Sequence, residues 1–375
     1  MSVYFGTLMS QPEHAKQEKD AGIGRAMLEL SWREYEPENN NFNANYIRAV
    51  REALQTFLKA GQKVTLALGL HDTPTWVHRM PNSHFVDQYG NVSEDVNIVF
   101  NQALRDQVLT YFQHVMRSFG PGSFDAVRLT SGGLGEVLYP PGGSYWAFDK
   151  NARGGSAMPK AMTRNPAPGY VPGGKMFKAN DARLFANWYV QSLAKTVMWQ
   201  RHALYMNGFR GQYYVLTPGV GIRPGEYDNA IKNGLPDGLL GVGAAWYQLY
   251  SCLPIVDKWV VYCSSVADGS GNDDVCQSSD IVTSLFNPKV LQWSATRLLS
   301  RIARGRLTPI CGENPGYNYS YRAHYSDTSP SGMMARAQRQ IVGCGLQGFY
   351  WAHDHNLWNG NVPFSAYAKM IKDVK

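Results

Sequence analysis

The sequence has few charged residues and no long apolar run. Only 17% of residues are Asp, Glu, Lys or Arg, against 44% apolar residues. No segment combines low hydrophobicity with high charge, which argues against disorder. No apolar stretch approaches the ~20 residues a membrane helix needs. The formal net charge is +7, but no Lys/Arg block carries it. A diffuse surplus gives no nucleic-acid or membrane footprint.

Cysteine is scarce too. Five residues, Cys252, Cys263, Cys276, Cys311 and Cys344, form no CxxC pair, which excludes a zinc ribbon. Cys263 and Cys276 flank the loop VADGSGNDDV, where they could close a disulfide or stay free thiols. That loop's Asp268, Asp273 and Asp274 lack EF-hand spacing and read as solvated. The first strand is followed by LMSQPEH, not by GxGxxG, so a dinucleotide-binding sheet is disfavoured. No repeat of 20–50 residues is present. The opening residues, MSVYFGTLMS, have no signal-peptide architecture. The low-Lys, Asn/Tyr/Gly/Trp-rich composition leans towards a secreted protein whose signal has been removed.

What remains is an alternation. Eight short apolar runs recur: VYFGTL, GRAMLEL, KVTLALGL, FDAVRLT, QYYVLTP, KWVVYCS, LTPICGE and GLQGFYWA. Each is bounded by Gly, Pro or Ser, as strands are. Amphipathic stretches lie between them. In ANYIRAVREALQTFLKAG, residues Ile47, Val50, Leu54, Phe57 and Leu58 form one stripe that stops at Gly61. The helix DARLFANWYVQSLAKTVMWQRHALYMNG has Asp181 as its N-cap candidate, and NPKVLQWSATRLLSRIARG and SGMMARAQRQIVG follow. Eight strand–helix alternations predict an α/β chain folded as one (β/α)8 barrel over residues 1–375. Residues 140–180, rich in Gly, Pro and Ala, are expected to form a long loop over the barrel mouth.

Barrel enzymes work with side chains at the carboxyl ends of their strands. Two glutamates stand there in similar settings. Glu136, in SGGLGEVLYPP, follows the fourth strand, and Glu313, in CGENPGYN, follows the seventh. Two carboxyl groups facing each other across a mouth are the apparatus of glycoside hydrolysis. One protonates the leaving oxygen; the other attacks the anomeric carbon or activates water. The competing reading makes them ion-paired supports for Arg128 or Arg322.

The surroundings suit sugar, because aromatic faces pack on the C–H faces of pyranose rings. Trp32 and Trp76 follow the second and third strands, and Tyr139 and Trp146 follow the fourth. Tyr262 and Tyr317 follow the sixth and seventh, and Trp351 and Trp358 end the eighth. About half of these are expected to be core. His71 and Asp72 are candidates for substrate hydroxyls, though Asp72 also suits a turn cap. His353 and Asp354, in HDH, are candidates for a sugar subsite in preference to a metal. Tyr262 is positioned to hold Glu313 ionised. Arg223 and Glu226 could pair with each other, reach substrate or rest in solvent.

The stretch LELSWREYEPENNNFNANYIRAVREALQTFLKAGQKVTLALGLHDTPTWV resembles the strand 2 to strand 3 region of clan A glycoside hydrolases, and among them family-42 β-galactosidases. The resemblance rests on Trp32, Glu36-Pro37, Asn41-Phe42-Asn43 and Pro74-Thr75-Trp76. It implies an acid/base after strand 4 and a nucleophile after strand 7, which match Glu136 and Glu313. Clan A enzymes carry Asn before the acid/base; here that residue is Gly135. Asn314 and Asn97 are then the candidates for the sugar contact that Asn makes. GLGEVLYPP is instead similar to the corresponding β-amylase segment, which belongs to inverting barrel enzymes acting on α-1,4-glucans. Their Gly/Asn-rich loop after strand 3 is shortened here to LHDTPTWV. The expectation is a cofactor-free glycosidase acting on an oligo- or polysaccharide with retention. Inversion with Glu313 as general base, or a non-catalytic saccharide-binding barrel, are the alternatives.

Overall fold

The computed structural model describes residues 3–267, 271–272, 274–314, 316 and 322–375. Ten strands form among them: β1 (Tyr4–Thr7), β2 (Ile23–Glu29), β3 (Lys63–Ala67), β4 (His84–Val86), β5 (Val92–Val96), β6 (Ala126–Leu129), β7 (Gln212–Thr217), β8 (Trp259–Cys263), β9 (Ile310–Glu313) and β10 (Gly348–Trp351). Eight close into a parallel barrel in the order β1-β10-β9-β8-β7-β6-β3-β2. β1 closes it by pairing with both β10 and β2. Each of the eight apolar runs supplies one barrel strand.

These strands are buried on both faces, which is why they read as apolar runs without clean alternation. Outward residues such as Phe5, Val64, Leu66, Val127, Val215 and Phe349 pack in the layer beneath the helices. Inward residues Met27, Ala67, Tyr214, Tyr262, Cys311 and Tyr350 form a separate cluster that fills the barrel. Its lower part is polar yet satisfied. The Tyr4 and Tyr214 hydroxyls bond at 2.9 Å, Thr65 meets the Tyr350 hydroxyl at 2.7 Å, and Arg25 pairs with Asp125. Gly6 is required there: a Cβ would lie 2.6 Å from the Tyr350 ring.

The helices follow their apolar stripes. In Ala44–Lys59 the Asn43 side chain accepts from the backbone N–H of Asn45 and Tyr46, and Ile47, Val50, Leu54 and Phe57 are buried. Leu58 falls outside the buried stripe and is 41% exposed. The helix Ala179–Met206 begins after Lys178, so Asp181 lies in its first turn and is not the cap. The stretch from Pro288 divides into a 3-10 turn, Pro288–Gln292, and a helix, Ala295–Gly305, capped by the Ser294 side chain.

One feature of the strands departs from the sequence reading. β4 and β5 form an antiparallel hairpin after β3. Residues 130–178 carry no helix or strand, yet this segment is anchored by buried rings. Tyr139 stacks on Tyr189 at 3.9 Å, and the Phe148 N–H donates to the Val86 carbonyl of the hairpin at 2.9 Å. Cysteine pairing also differs. The disulfide joins Cys276 to Cys344, whereas Cys263 is a buried free thiol beside Thr296. Cys263 ends β8 with its side chain under the helix Ala295–Gly305, out of reach of the loop. Of that loop's acids, Asp268 and Asp273 lie outside the described residues, and Asp274 pairs with Arg297.

Candidate active site at the barrel mouth

The position of Glu136 follows from its glycines. After β6 the chain makes a short excursion through residues 132–135 and returns. The Ser131 N–H and hydroxyl donate to the Glu136 carbonyl at 3.0 and 2.9 Å, and the Val137 N–H donates to Leu216 in β7 at 2.9 Å. Gly132 has φ +104°, and a Cβ there would lie 2.1 Å from Ile98. Only glycine lets the excursion fold flat against the segment beyond the hairpin. Glu136 is thereby set beside the mouth between β6 and β7.

Glu313 ends β9 and is 8% exposed. Its Oε2 accepts from the Tyr262 hydroxyl at 2.5 Å and lies 3.2 Å from Arg128 Nη2; the same nitrogen is 3.5 Å from Oε1. Arg128 points inward from β6, and its guanidinium lies 5.2 Å over the Tyr262 ring. The ion pair that competed with the catalytic reading of Glu313 therefore exists, and it forms within the mouth.

Electrostatics couples these groups. Burial pushes Glu313 up to about 7; Arg128 and the Tyr262 hydrogen bond pull it down, while Glu136 and Glu29 raise it further. Burial also raises Glu136, opposed by the Ser264 hydroxyl and Arg128. Burial works against the Arg128 charge, yet Glu313, Tyr262, Glu29 and Glu136 together hold its pKa above the usual value. The two glutamates thus sense one another across a single guanidinium, in surroundings that favour a proton on at least one of them.

Two groups here were missed by the sequence reading: Arg128 as part of the site, and Glu29. Glu29 ends β2 and faces His71 at 3.7 Å. Their signal was available. Arg128 interrupts the apolar run FDAVRLT, and Glu29 shares the inward parity of Arg25 and Met27. A cavity of about 170 Å³ is lined by Glu29, His71, Arg128, Thr130, Gly135 and Gln200, among others. An open groove of about 690 Å³ shares Glu29 and His71 with it and continues past Ser31, Arg33 and Asp72. A Cβ at Gly135 would meet nothing within 4 Å, so this position opens onto free space.

The other sequence candidates divide. His71 faces both cavities. Asp72 lines the groove but is engaged by the Ser31 hydroxyl and the Arg33 guanidinium. His353 sits at the rim in a left-handed conformation, φ +53°; burial and His355 lower its pKa, and Glu29 opposes them. Tyr317 lies outside the described residues. Trp76 is half-buried, donating to the Glu36 carbonyl at 3.0 Å. Trp358 is sandwiched by His14 at 3.7 Å and Phe364 at 4.5 Å.

Five candidates are withdrawn from the mouth by burial. Trp32 is fully covered and donates to Glu36 Oε2 at 2.9 Å, so the Trp32, Glu36 and Trp76 signature builds a support for the loops. Tyr139 donates to the Tyr189 carbonyl, and the Trp146 N–H donates to the Tyr189 hydroxyl. Trp351 points outward from β10 onto Tyr325 and Tyr367. Asn314 receives the Ala352 N–H at 2.8 Å and pins β9 to β10. These residues fill the layer between barrel and helices, where neither a sugar face nor a hydroxyl can reach them. Asn97 is likewise buried against Asp149. Glu226 accepts the Arg223 N–H at 2.7 Å and closes a helix start, and the Arg223 guanidinium donates to the Gly221 and Trp293 carbonyls.

Asp354 is also withdrawn. It is fully buried behind β1, where Oδ1 accepts the Met9 N–H at 2.7 Å. Its neighbour is Glu18, which accepts from Thr7 at 3.1 Å and Gln62 at 3.2 Å. Burial and the Asp354 charge push Glu18 up to about 7. An acid raised on folding costs stability as pH rises from about 4.5 through 7. Glu18→Gln is therefore expected to stabilise the protein by ~1–3 kcal/mol at pH 8 and by little at pH 4.5. Urea midpoints at the two pH values check this; an equal change at both would remove the pH-linked account.

No protein-family model matches the chain, and no curated protein matches it in sequence. Solved structures do match. The catalytic domain of β-amylase from Paenibacillus polymyxa aligns at a TM-score of 0.62 and 16% identity, over 100% of this chain and 98% of that one. A polyextremophilic β-galactosidase from the Antarctic haloarchaeon Halorubrum lacusprofundi aligns at 0.58 and 12%, over 99% and 58%. A β-galactosidase from the psychrophilic Marinomonas ef1 aligns at 0.57 and 13%, over 93% and 54%. The chain thus spans little more than half of each galactosidase chain and nearly all of the amylase domain. At these identities the likeness is one of fold.

Proposed function

We propose that this protein is a glycoside hydrolase acting on an oligo- or polysaccharide, with Glu136 as the general acid and Glu313 as its partner carboxylate. One observation carries the reading: Glu313, at the end of β9, and Glu136, in the loop after β6, both act on the charge of Arg128, with different immediate partners. Glu313 has a cation and a phenol hydroxyl to stabilise its charged form. Burial raises the pKa of both; Glu136, with fewer partners for its charged form, is assigned the proton that goes to the leaving oxygen. The neutral sugar leaves with that proton. Glu313 then forms a bond to the anomeric carbon, and Glu136 later takes a proton from the water that hydrolyses it.

Further support comes from the cavities. A pocket of about 170 Å³ next to Gly135 and Arg128 suits one sugar, with Glu29 and His71 for its hydroxyls. The adjoining groove of about 690 Å³ suits further units of a chain. The structural neighbours include a β-amylase and β-galactosidases, all of which cut glycosidic bonds.

A second reading, inversion with Glu313 as general base on water, is favoured by the amylase match across both whole chains. The test is a screen of aryl glycosides and natural polysaccharides, with proton NMR of the first-formed anomer. Turnover with retained configuration is expected. Inverted product would reassign Glu313 as the base. Saccharide binding without turnover at any pH would leave a non-catalytic barrel and end the enzymatic reading.

A further inference from the structure

Arg128 is a charged side chain in the middle of a barrel strand, where water-facing solubility cannot explain it. Its side chain is 11% exposed. It makes no ordinary one-to-one ion pair either. Glu313 from β9 touches it at 3.2 Å, the Tyr262 ring from β8 lies 5.2 Å beneath it, and Glu29 from β2 and Glu136 from the loop after β6 both act on its charge. Glu313 is thus the carboxylate in contact with this cation, and Glu29 lines the same cavity as Arg128. Arg128 lies closest to Glu313, and the Tyr262 hydroxyl completes the Glu313 partners from the other side.

We propose that Arg128 is a positioning residue: through its contact with both oxygens of Glu313 it orients that carboxyl group and favours its charged form. The proposal rests on the glycosidase reading for its purpose but not for its physics. Arg128 touches no bond that changes. It acts through Glu313, by contact with both carboxylate oxygens and by the charge it supplies. The groups facing Glu313 are Arg128, Tyr262, Glu136 and Glu29. Among these groups Arg128 is the permanent cation.

The experiment is a titration of the full chain labelled with ¹³C at glutamate carboxyl groups. The Glu313 resonance is assigned by its absence in Glu313→Gln. In wild type its midpoint is expected near the value of about 7 that burial and its neighbours set. In Arg128→Met the midpoint is expected to rise by ~1–3 pH units, the usual effect of one adjacent opposite charge. In Arg128→Lys, which keeps a charge on a shorter side chain, it is expected to fall between the two. The acid limb of kcat/KM should move up in the same order. A Glu313 midpoint unchanged in folded Arg128→Met overturns the proposal. Should that variant fail to fold, Arg128→Gln is titrated in its place, and a midpoint equal to wild type overturns the proposal. Absence of turnover in every form, wild type included, would sink the glycosidase reading while the titration still decides the role of Arg128.

Discussion

Glu313→Gln is expected to lower kcat by ~10³-fold or more on the true substrate, with little change in the fold. Glutamine is nearly isosteric and keeps an oxygen to accept the Tyr262 hydroxyl, now made at 2.5 Å. What it loses is the negative charge that would attack carbon or activate water. It also leaves Arg128 without its closest counter-charge, although Glu29 and Glu136 still face that guanidinium. Circular dichroism and thermal melting should therefore remain close to wild type while turnover collapses. The measurement is kcat at saturating substrate for wild type and variant. Normal turnover would mean that Glu313 supports Arg128 and does no chemistry, which was the competing reading of this residue from the outset.

The second large effect is on stability. Reducing the Cys276–Cys344 disulfide, or replacing both cysteines by serine, releases a closed loop spanning 68 residues. Chain entropy puts the loss at ~4 kcal/mol. For a chain of 375 residues that corresponds to a fall in Tm of about 5 °C. The bridge ties the segment after β8 to the helix Met333–Cys344, near the buried Arg297, Asp274 and Asp280 network. The loss should appear as a lower urea midpoint on adding reductant. Cys252, Cys263 and Cys311 are already free thiols, so reductant should not act through them. An unchanged midpoint under full reduction would show that the buried ion pairs hold this segment without the bridge.

Much of the barrel was legible in the chain. A strand buried on both faces must be apolar along its length, and a helix packed on one side must carry a stripe. Both constraints act over a few residues, so they appear in the sequence itself. The hairpin escaped because His84–Val86 is short and β5, VSEDV, carries two acids. The disulfide partner escaped because sequence distance favoured Cys263 over Cys344, whereas reach in space depends on which face of β8 a side chain leaves from.

The aromatic residues give the clearest division. Trp32, Tyr139, Trp146 and Trp351 follow strand ends, as sugar-stacking rings would, yet all four are buried. Trp351 and Tyr350 are neighbours with opposite fates. Tyr350 fills the barrel, while Trp351 lies under the helices, because successive strand residues face opposite sides.

The sequence by itself determined the eight barrel strands and their order, the barrel they form, and that Glu313 ends one strand while Glu136 follows another. These follow from local periodicity and glycine punctuation. Only the tertiary structure decided that Arg128 contacts Glu313, that Glu29 lines the cavity beside Arg128, and that Asp354 is buried away from it. Charge interactions depend on through-space distance and burial, and closing the barrel brings together residues as far apart in the chain as Glu29 and Glu313. No local pattern encodes that approach.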